Sequence, residues 1–317
     1  MTLTQATARH IGLAGGTTVH VLRNRKVQLG LLILFILFVG ALAHPFLQST
    51  LWEGAGGIYH PETGNDRTLE NPTGVSDDHW LGTDSLGRDV FSALTYSLAD
   101  ALALAVVVAL VVAVLSLSAG SLAAYFRGWM DTVFTNVGDA LALLPPAIAL
   151  LVVGLNRSDF GPVEAGLLFG FLYGLGPAAL VIRSRALAVI EKPFIDAAKV
   201  AGAGPRRVLG THLLPHLLPY AGVQMMAAVI GALVTQAFIQ YQGASANRVG
   251  LGSMIYSGLD FQPVLPSGYG TYNLGDYTAR IGWTSILSAA LAMTLIAVAF
   301  YLIAVGSRDA IVPKRHQ

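Results

Sequence analysis

The two residues whose spacing most suggests chemistry are His212 and His216, which stand four apart. On a regular helix this spacing places both imidazoles on one face, where they can share a metal ion. Pro215 lies between them and disturbs a regular helix, and no third ligand stands nearby in the sequence. The sequence therefore favours two histidines at a membrane interface, and we predict no metal site.

Patterns that indicate catalysis are missing from the chain. It has no G-x-x-x-x-G-K-[ST] phosphate loop, so we do not expect it to bind ATP itself. It also lacks the zinc-protease pattern H-E-x-x-H and the nucleophile pattern G-x-S-x-G. The absence of cysteine excludes disulfides and thiolate metal ligands. We therefore predict a protein that is not an enzyme and holds no cofactor of its own.

These polar residues are set in an unusually apolar chain. Of its 317 residues 54% are hydrophobic and 12% charged, and the mean hydropathy is +0.61. Soluble domains carry about 25% charged residues, and roughly 20 apolar residues cross a hydrocarbon core of about 30 Å. We predict an all-α integral membrane protein with six transmembrane helices. The predicted spans are Val27–Leu47, Ala101–Phe126, Phe134–Leu155, Val163–Ile182, Leu217–Tyr241 and Ile281–Ser307.

The distribution of Lys and Arg predicts the orientation of the chain, since cytoplasmic segments are enriched in both. Fourteen of the 19 basic residues become cytoplasmic if the tails 1–26 and 308–317, the loop 186–212 and the span ends at Arg127, Arg183 and Arg185 lie inside. The loop 48–92, which contains eight acids, is then external, and 93–307 forms a core domain of five spans. We expect little regular structure in this loop before a short amphipathic helix at Leu86. Ala41-Leu42-Ala43 resembles a signal-peptide cleavage site, but a leading tail of about 26 residues favours a retained helix.

Three polar side chains within the predicted spans are candidates for a solute pathway. Asp139 lies about two turns inside the third span, where an acid costs roughly 2.5–3.5 kcal/mol on insertion scales. It is either a gate residue or a partner in a hydrogen bond between helices or at the inner boundary. Gln236 and Gln240 share a face of the fifth span and either line a polar passage or bond neighbouring helices. Pro145-Pro146 should bend the third span.

The segment 183–207 is a polar, helix-shaped insert between two apolar spans. Pro193 suits the first turn of a helix, and Gly202 suits the left-handed residue that closes one. The Phe194/Ala198/Ala201 face of such a helix carries almost no bulk, so another protein's surface could approach its backbone closely. The alternative is an amphipathic helix lying on the membrane, but a small-residue face anchors poorly in lipid. The sequence favours a docking element.

Two motifs in this chain resemble those of one family, the permease subunits of bacterial ABC importers. The docking segment is similar to their cytoplasmic "EAA" loop, with Asp in place of the first Glu. Its matching residues are Asp196, Ala197, Ala198, Gly202, Leu214 and Pro215. The external loop resembles the H-x-L-G-T-D-x-L-G-R-D signature of the second permease of dipeptide, oligopeptide and nickel importers. Its matching residues are His79, Leu81, Gly82, Thr83, Asp84, Leu86, Gly87, Arg88 and Asp89.

This resemblance implies a type I importer permease in a bacterial or archaeal cytoplasmic membrane. It also implies four partners: a homologous permease, two ATPase subunits that bind ATP and Mg, and an external solute-binding protein. The chain would contact membrane lipid and no nucleic acid. The rival classes are an ion-coupled secondary transporter, which would show internal repeats, and an intramembrane enzyme, which would need a catalytic constellation. The region 239–280 departs from the family pattern, so the transported solute is left open.

Overall fold

The computed structural model describes residues 21–52, 57–66, 68–69, 71–157, 159–244, 249–259 and 282–311, and it is helical almost throughout. Most of the divergent region 239–280 and the ends of both tails lie outside these residues. The helices are α1 Arg25–Thr50, α2 Val90–Phe126, α3 Gly128–Leu143, α4 Pro146–Asn156, α5 Pro162–Tyr173, α6 Ala179–Ile190, α7 Pro193–Val200, α8 Leu214–Tyr241, α9 Leu251–Leu259 and α10 Trp283–Ile311. A π-helical turn, Gly174–Ala178, joins α5 to α6, and the short turns Pro205–Arg207 and Val208–Leu213 lead into α8.

Five of these helical segments are long and apolar enough to cross a membrane, and a bent helix pair brings the number to six. That pair, α3 and α4, corresponds to the predicted third span, which is therefore not one continuous helix. The two halves meet at an angle of 73° because Pro145 and Pro146 interrupt the hydrogen-bond ladder, and Pro146 begins the second half. The prediction of a bend there is confirmed.

The second span begins earlier than the sequence predicted. Helix α2 starts at Val90 and not at Ala101, because the Asp89 side chain accepts a hydrogen bond from the Ser92 backbone N–H and caps the helix. Leu86 lies in a turn, so the short separate helix expected there is wrong. The longer helix places Asp100 ten residues inside α2.

Helix α2 is the centre of the bundle and packs against α1, α5, α6 and α8. Leu104, Val108 and Val112 on this helix are fully buried. A Cβ at Gly120 would come within 2.8 Å of the Ala179 carbonyl oxygen, so glycine allows the backbones of α2 and α6 to approach closely.

Contacts between segments distant in sequence show which loops lie at the same end of the helical bundle. The Asn24 side chain donates a hydrogen bond to the Gly306 carbonyl at 3.2 Å, and Lys26 pairs with Asp309 at 2.7 Å, so both ends of the described chain lie together. On the opposite side, the Ser85 hydroxyl donates to the Ser257 carbonyl at 2.7 Å and ties the loop 48–92 to α9. These contacts fit the predicted alternation of sides, and the assignment of the tails to the cytoplasm stays a prediction.

Candidate functional site

The predicted docking element is a real helix with a defined end. Helix α7 starts at Pro193, and Gly202 has the left-handed φ of +83° that closes it. The Gly202 N–H donates to the Lys199 carbonyl and the Ala203 N–H donates to the Ala198 carbonyl, which together form a Schellman motif. Helix length and position are thereby set by the backbone, as the sequence predicted.

The face that α7 presents agrees only in part with the predicted Phe194/Ala198/Ala201 face. Ala198 is half-buried, whereas Ala197 and Ala201 are exposed and Val200 is 90% exposed. Phe194 is 37% exposed. The accessible surface therefore combines small apolar side chains with the charged side chains of Asp196 and Lys199, and its most exposed apolar side chain is Val200.

The buried side of α7 holds the helix against the membrane domain. Ile195 is fully buried, and the Phe194 ring stacks on the His216 ring with 5.2 Å between centroids. His216 Nδ1 lies 2.7 Å from the His212 carbonyl oxygen, so this ring nitrogen is engaged with backbone. Leu214 and Pro215 form the first turn of α8. Within the described ranges, no group of three or more His, Asp or Glu side chains is arranged to hold a metal ion.

The external signature folds into a compact cap on the start of α2, with His79 at its centre. His79 is 1% exposed, and its Nδ1 lies 2.8 Å from Asp89 Oδ2 while its Nε2 lies 3.5 Å from Asp66 Oδ2. Burial raises the pKa of the Asp89 carboxyl despite these hydrogen bonds. Hydrogen bonds from Thr68 lower the pKa of Asp66. Sequence reasoning missed Asp66, because it stands 13 residues before His79.

The remaining signature residues shape the loop around this histidine. Asp84 accepts hydrogen bonds from the backbone of Leu86 and Arg88 and from the Arg88 guanidinium. The Thr83 hydroxyl donates to the Asn71 side chain at 2.6 Å. Gly82 and Gly87 both have positive φ, and Leu81 packs against the core of the bundle. The signature is thus held by hydrogen bonds within itself and to Asp66 and Asn71 earlier in the loop, and the Leu86 side chain is exposed.

The three pathway candidates do not form one site. Gln236 and Gln240 are both buried and line a cavity of about 10 Å³ together with Ser97 and Asp100. Asp139 is not part of this cavity and is exposed on α3. Asp131, and not Asp139, receives the hydrogen bonds that Arg183 donates from a neighbouring helix. The sequence prediction did not include Asp100 in a span, because it began the second span at Ala101. The helix-capping residue Asp89 is the signal that indicates the earlier start.

Comparison with known proteins finds relatives among the membrane components of transport systems. Residues 116–317 match the family described as "Binding-protein-dependent transport system inner membrane component". The chain is 28% identical over 295 residues to the dipeptide transport system permease protein DppC of Bacillus subtilis, covering 92% of this chain and 83% of that protein. It is 25% identical over 294 residues to the oligopeptide permease OppC of Mycobacterium tuberculosis, covering 92% and 91%. The glutathione permease GsiD of Pectobacterium atrosepticum is 28% identical over 250 residues, covering 78% and 76%.

A helical bundle of membrane spans with a short exposed helix between two of them is consistent with the class of ABC-importer permeases. The chain belongs to the family of binding-protein-dependent transport system inner membrane components. It is a multi-pass permease subunit of the bacterial inner membrane, and its relatives are named as permease proteins of transport systems. The matches do not support the ion-coupled secondary transporter that the sequence left as an alternative.

Proposed function

We propose that this chain forms half of the translocation pathway of a peptide importer. A homologous permease would form the other half, two ATPase subunits would dock on the cytoplasmic side, and an external binding protein would deliver the solute. Relatives named for dipeptides, oligopeptides and glutathione support a peptide as the solute. Nickel, which the sequence motif also allowed, has no such support among these relatives.

The observation that carries the proposal is the exposed face of α7. This helix ends at Gly202 and buries Ile195 against the membrane domain, whereas Ala197 and Val200 are exposed. Ala197, Val200 and Ala201 stand at i, i+3 and i+4, so they share one exposed face of the helix that a partner protein can cover. ATP and Mg would be bound by that partner, since this chain has no phosphate loop. Closure of the ATPases would displace α7, and the attached spans would carry the movement to the pathway.

The coupling role is tested by Ala197→Trp in the assembled importer. A bulky ring on the exposed face should block ATPase docking while leaving membrane insertion intact, because no span changes. A matched control is Val75→Trp, which alters an exposed side chain in the loop on the opposite side. We expect Ala197→Trp to lose co-purification of the ATPase subunits and Val75→Trp to retain it. Normal assembly and transport in both variants would show that α7 is not the docking element.

The solute class is tested separately in proteoliposomes that contain the complete importer and its binding protein. We expect ATP-dependent uptake of labelled di- or oligopeptides. Assembly with ATPases but no uptake of any peptide would retain the permease and reject the peptide assignment.

A further inference from the structure

Arg183 on α6 interacts with two acids of α3 that lie along one ridge of that helix. Asp131, Thr135 and Asp139 stand at i, i+4 and i+8, and residues with this spacing form a continuous ridge. Arg183 pairs with Asp131 through Nε and Nη2, and the Nη2 donor lies 2.6 Å from Asp131 Oδ2. The Asp139 carboxylate also interacts electrostatically with Arg183. One arginine thus interacts with two acids that stand about two turns of α3 apart.

Asp139 is the acid of this ridge that has no close partner. The residue is exposed, and no side chain among the described residues forms a hydrogen bond or an ion pair with its carboxylate. It lies within the third span, where an acid is costly unless a cation compensates its charge. Arg183 is a cation already within electrostatic range. An ion pair between Arg183 and Asp139 would therefore stabilise a second arrangement of α6 against α3.

The two ends of α6 allow such a second arrangement. At its start lies the π-helical turn Gly174–Ala178, in which Gly176 leaves helical geometry with a ψ of −114°. Pro177 in the same turn has no backbone N–H, and irregular helical turns of this kind often mark hinges. At its other end α6 leads directly to the docking helix α7. A displacement of α7 can therefore pivot α6 about the π-helical turn and carry Arg183 along the ridge.

The spacing of the two acids suits a step of this kind. Asp131 and Asp139 are eight residues apart, which corresponds to about 12 Å along the helix axis. A shift of one packed element past another by one turn covers about 5.4 Å. Reorientation of the long Arg183 side chain from one direction along the helix to the other covers the rest. The Thr135 hydroxyl oxygen is buried midway along the ridge and can accept a hydrogen bond from the passing guanidinium.

We propose that Arg183 changes its partner between Asp131 and Asp139 during the transport cycle, so that two alternative ion pairs hold α6 in two positions. The inference rests on the proposed function, because closure of the ATPases on α7 supplies the displacement. Asp139 is then a positioning residue that acts through Arg183 and does not contact the solute. The exchange would transmit movement of the docking helix to the first half of the bent span, which ends at the Pro145–Pro146 break.

The test measures the position of α6 against α3 in the assembled importer by disulfide cross-linking. Gly138→Cys and Leu180→Cys are introduced together into the cysteine-free chain, because a Cβ at Gly138 would lie 3.1 Å from Leu180 Cδ2. We expect the initial cross-linking rate to differ about fivefold between the nucleotide-free importer and the importer trapped with ADP and vanadate. The matched pair Gly40→Cys and Leu98→Cys joins α1 to α2, where the corresponding distance is 3.2 Å. This pair should cross-link at the same rate in both states.

Neutralising the acids separates an exchange of partners from the simple loss of an ion pair. In the state that cross-links faster, Asp131→Asn should lower the rate about fivefold, because Asp139 then holds Arg183. Adding Asp139→Asn should restore the rate, whereas a purely structural role of Asp131 predicts no restoration. Asp139→Asn alone should remove the difference between the nucleotide states. Equal rates in the two states with both acids present, no restoration in the double variant, or a difference that persists in Asp139→Asn would each overturn the proposal.

A second measurement needs no introduced cysteines and is independent of whether the cross-linking variants assemble. Asp139→Asn should lower peptide uptake per ATP about fivefold with unchanged co-purification of the ATPase subunits, and Asp139→Glu, which keeps the charge, should retain uptake. Asp159→Asn, which neutralises an exposed acid between α4 and α5, should behave as the wild type does. Full uptake per ATP in Asp139→Asn would overturn the exchange of partners. Absence of peptide uptake by the wild type would instead reject the proposed function, and the cross-linking rates would still decide whether Arg183 changes its partner.

Discussion

Arg183 and Asp131 form a two-point ion pair that joins the fourth span to the first half of the broken third span. Arg183 Nη2 donates to Asp131 Oδ2 at 2.6 Å, and Arg183 Nε donates to Oδ1. Helix α6, which carries Arg183, leads directly to α7, and helix α3, which carries Asp131, ends at the Pro145–Pro146 break. The pair thus links the helix that leads into α7 to the first half of the bent third span.

We expect the Asp131–Arg183 pair to contribute to stability as a unit. Its side chains are about one quarter exposed, and two-point Arg–carboxylate geometry is stronger than that of a single contact. A double-mutant cycle with Asp131→Asn and Arg183→Gln should give a coupling energy of about 1 kcal/mol. The exposed pair Arg157–Asp159 is the control, with no measurable coupling expected. Equal results for the two pairs in thermal unfolding would contradict the prediction.

The predicted topology can be tested by labelling, since the chain contains no cysteine of its own. Cysteines placed at Thr73 and Lys199 should react with an impermeant reagent from opposite sides of the membrane. Thr73 lies in the loop attached to α9 and Lys199 on α7. Labelling of both positions from the same side would reject the orientation derived from Lys and Arg.

The isolated chain should hydrolyse no ATP. It has no phosphate loop, and its relatives are the permease components of transport systems. The measurement is phosphate release by the purified chain, with the assembled importer as the positive control. Hydrolysis by the chain alone, after ATPase contaminants are excluded, would contradict the proposal that the partner subunits bind and hydrolyse ATP.

Gly202 should be needed for its conformation and not for space. A Cβ at this position would meet no atom within 4 Å, but φ is +83°. Gly202→Val should therefore cost about 1 kcal/mol and shift the end of α7, whereas Gly202→Asn should be tolerated because asparagine adopts this conformation more readily. We expect Gly202→Val to weaken coupling of ATP hydrolysis to uptake. Identical uptake per ATP in the Val and Asn variants would count against the role of the helix end.

The buried Asp89 carboxyl should make the external cap more stable when it is protonated. Burial raises its folded pKa above the ordinary value of 3.8, so its favourable contribution is present below that value and is lost as pH rises through the folded pKa. Asp89→Asn keeps a side-chain oxygen to cap α2 and removes the buried charge. We expect this variant to unfold at a higher temperature than the wild type at neutral pH, and the difference to vanish near the ordinary pKa.

A contrasting variant separates the charge from the cap. Asp89→Ala removes the bond to the Ser92 N–H and the partner of His79, and it should cost about 0.5–2 kcal/mol at any pH. Thermal scans of both variants across the acidic range provide the measurement. A lower midpoint for Asp89→Asn than for the wild type at neutral pH would show that the charge itself stabilises the cap.

Local sequence determined the membrane class, most of the spans and the docking helix. Long apolar runs require helices in lipid, because every backbone polar group must be paired within the segment. Pro193 and Gly202 mark the two ends of α7 through fixed backbone preferences that need no tertiary partner. The family motifs likewise lie in contiguous stretches.

Only the tertiary structure decided which distant groups meet. Asp131 and Arg183 are 52 residues apart, and His79 meets Asp66 through a loop whose path the composition does not define. On α7, Ala198 of the predicted face is half-buried while Ala197 and Val200 are exposed, because burial of Ile195 sets the rotation of the helix. One cavity is lined by both Asp100 on α2 and Gln236 on α8. This depends on the register of α2 against α8, which is set by side-chain packing across the bundle and cannot be read from a local sequence pattern.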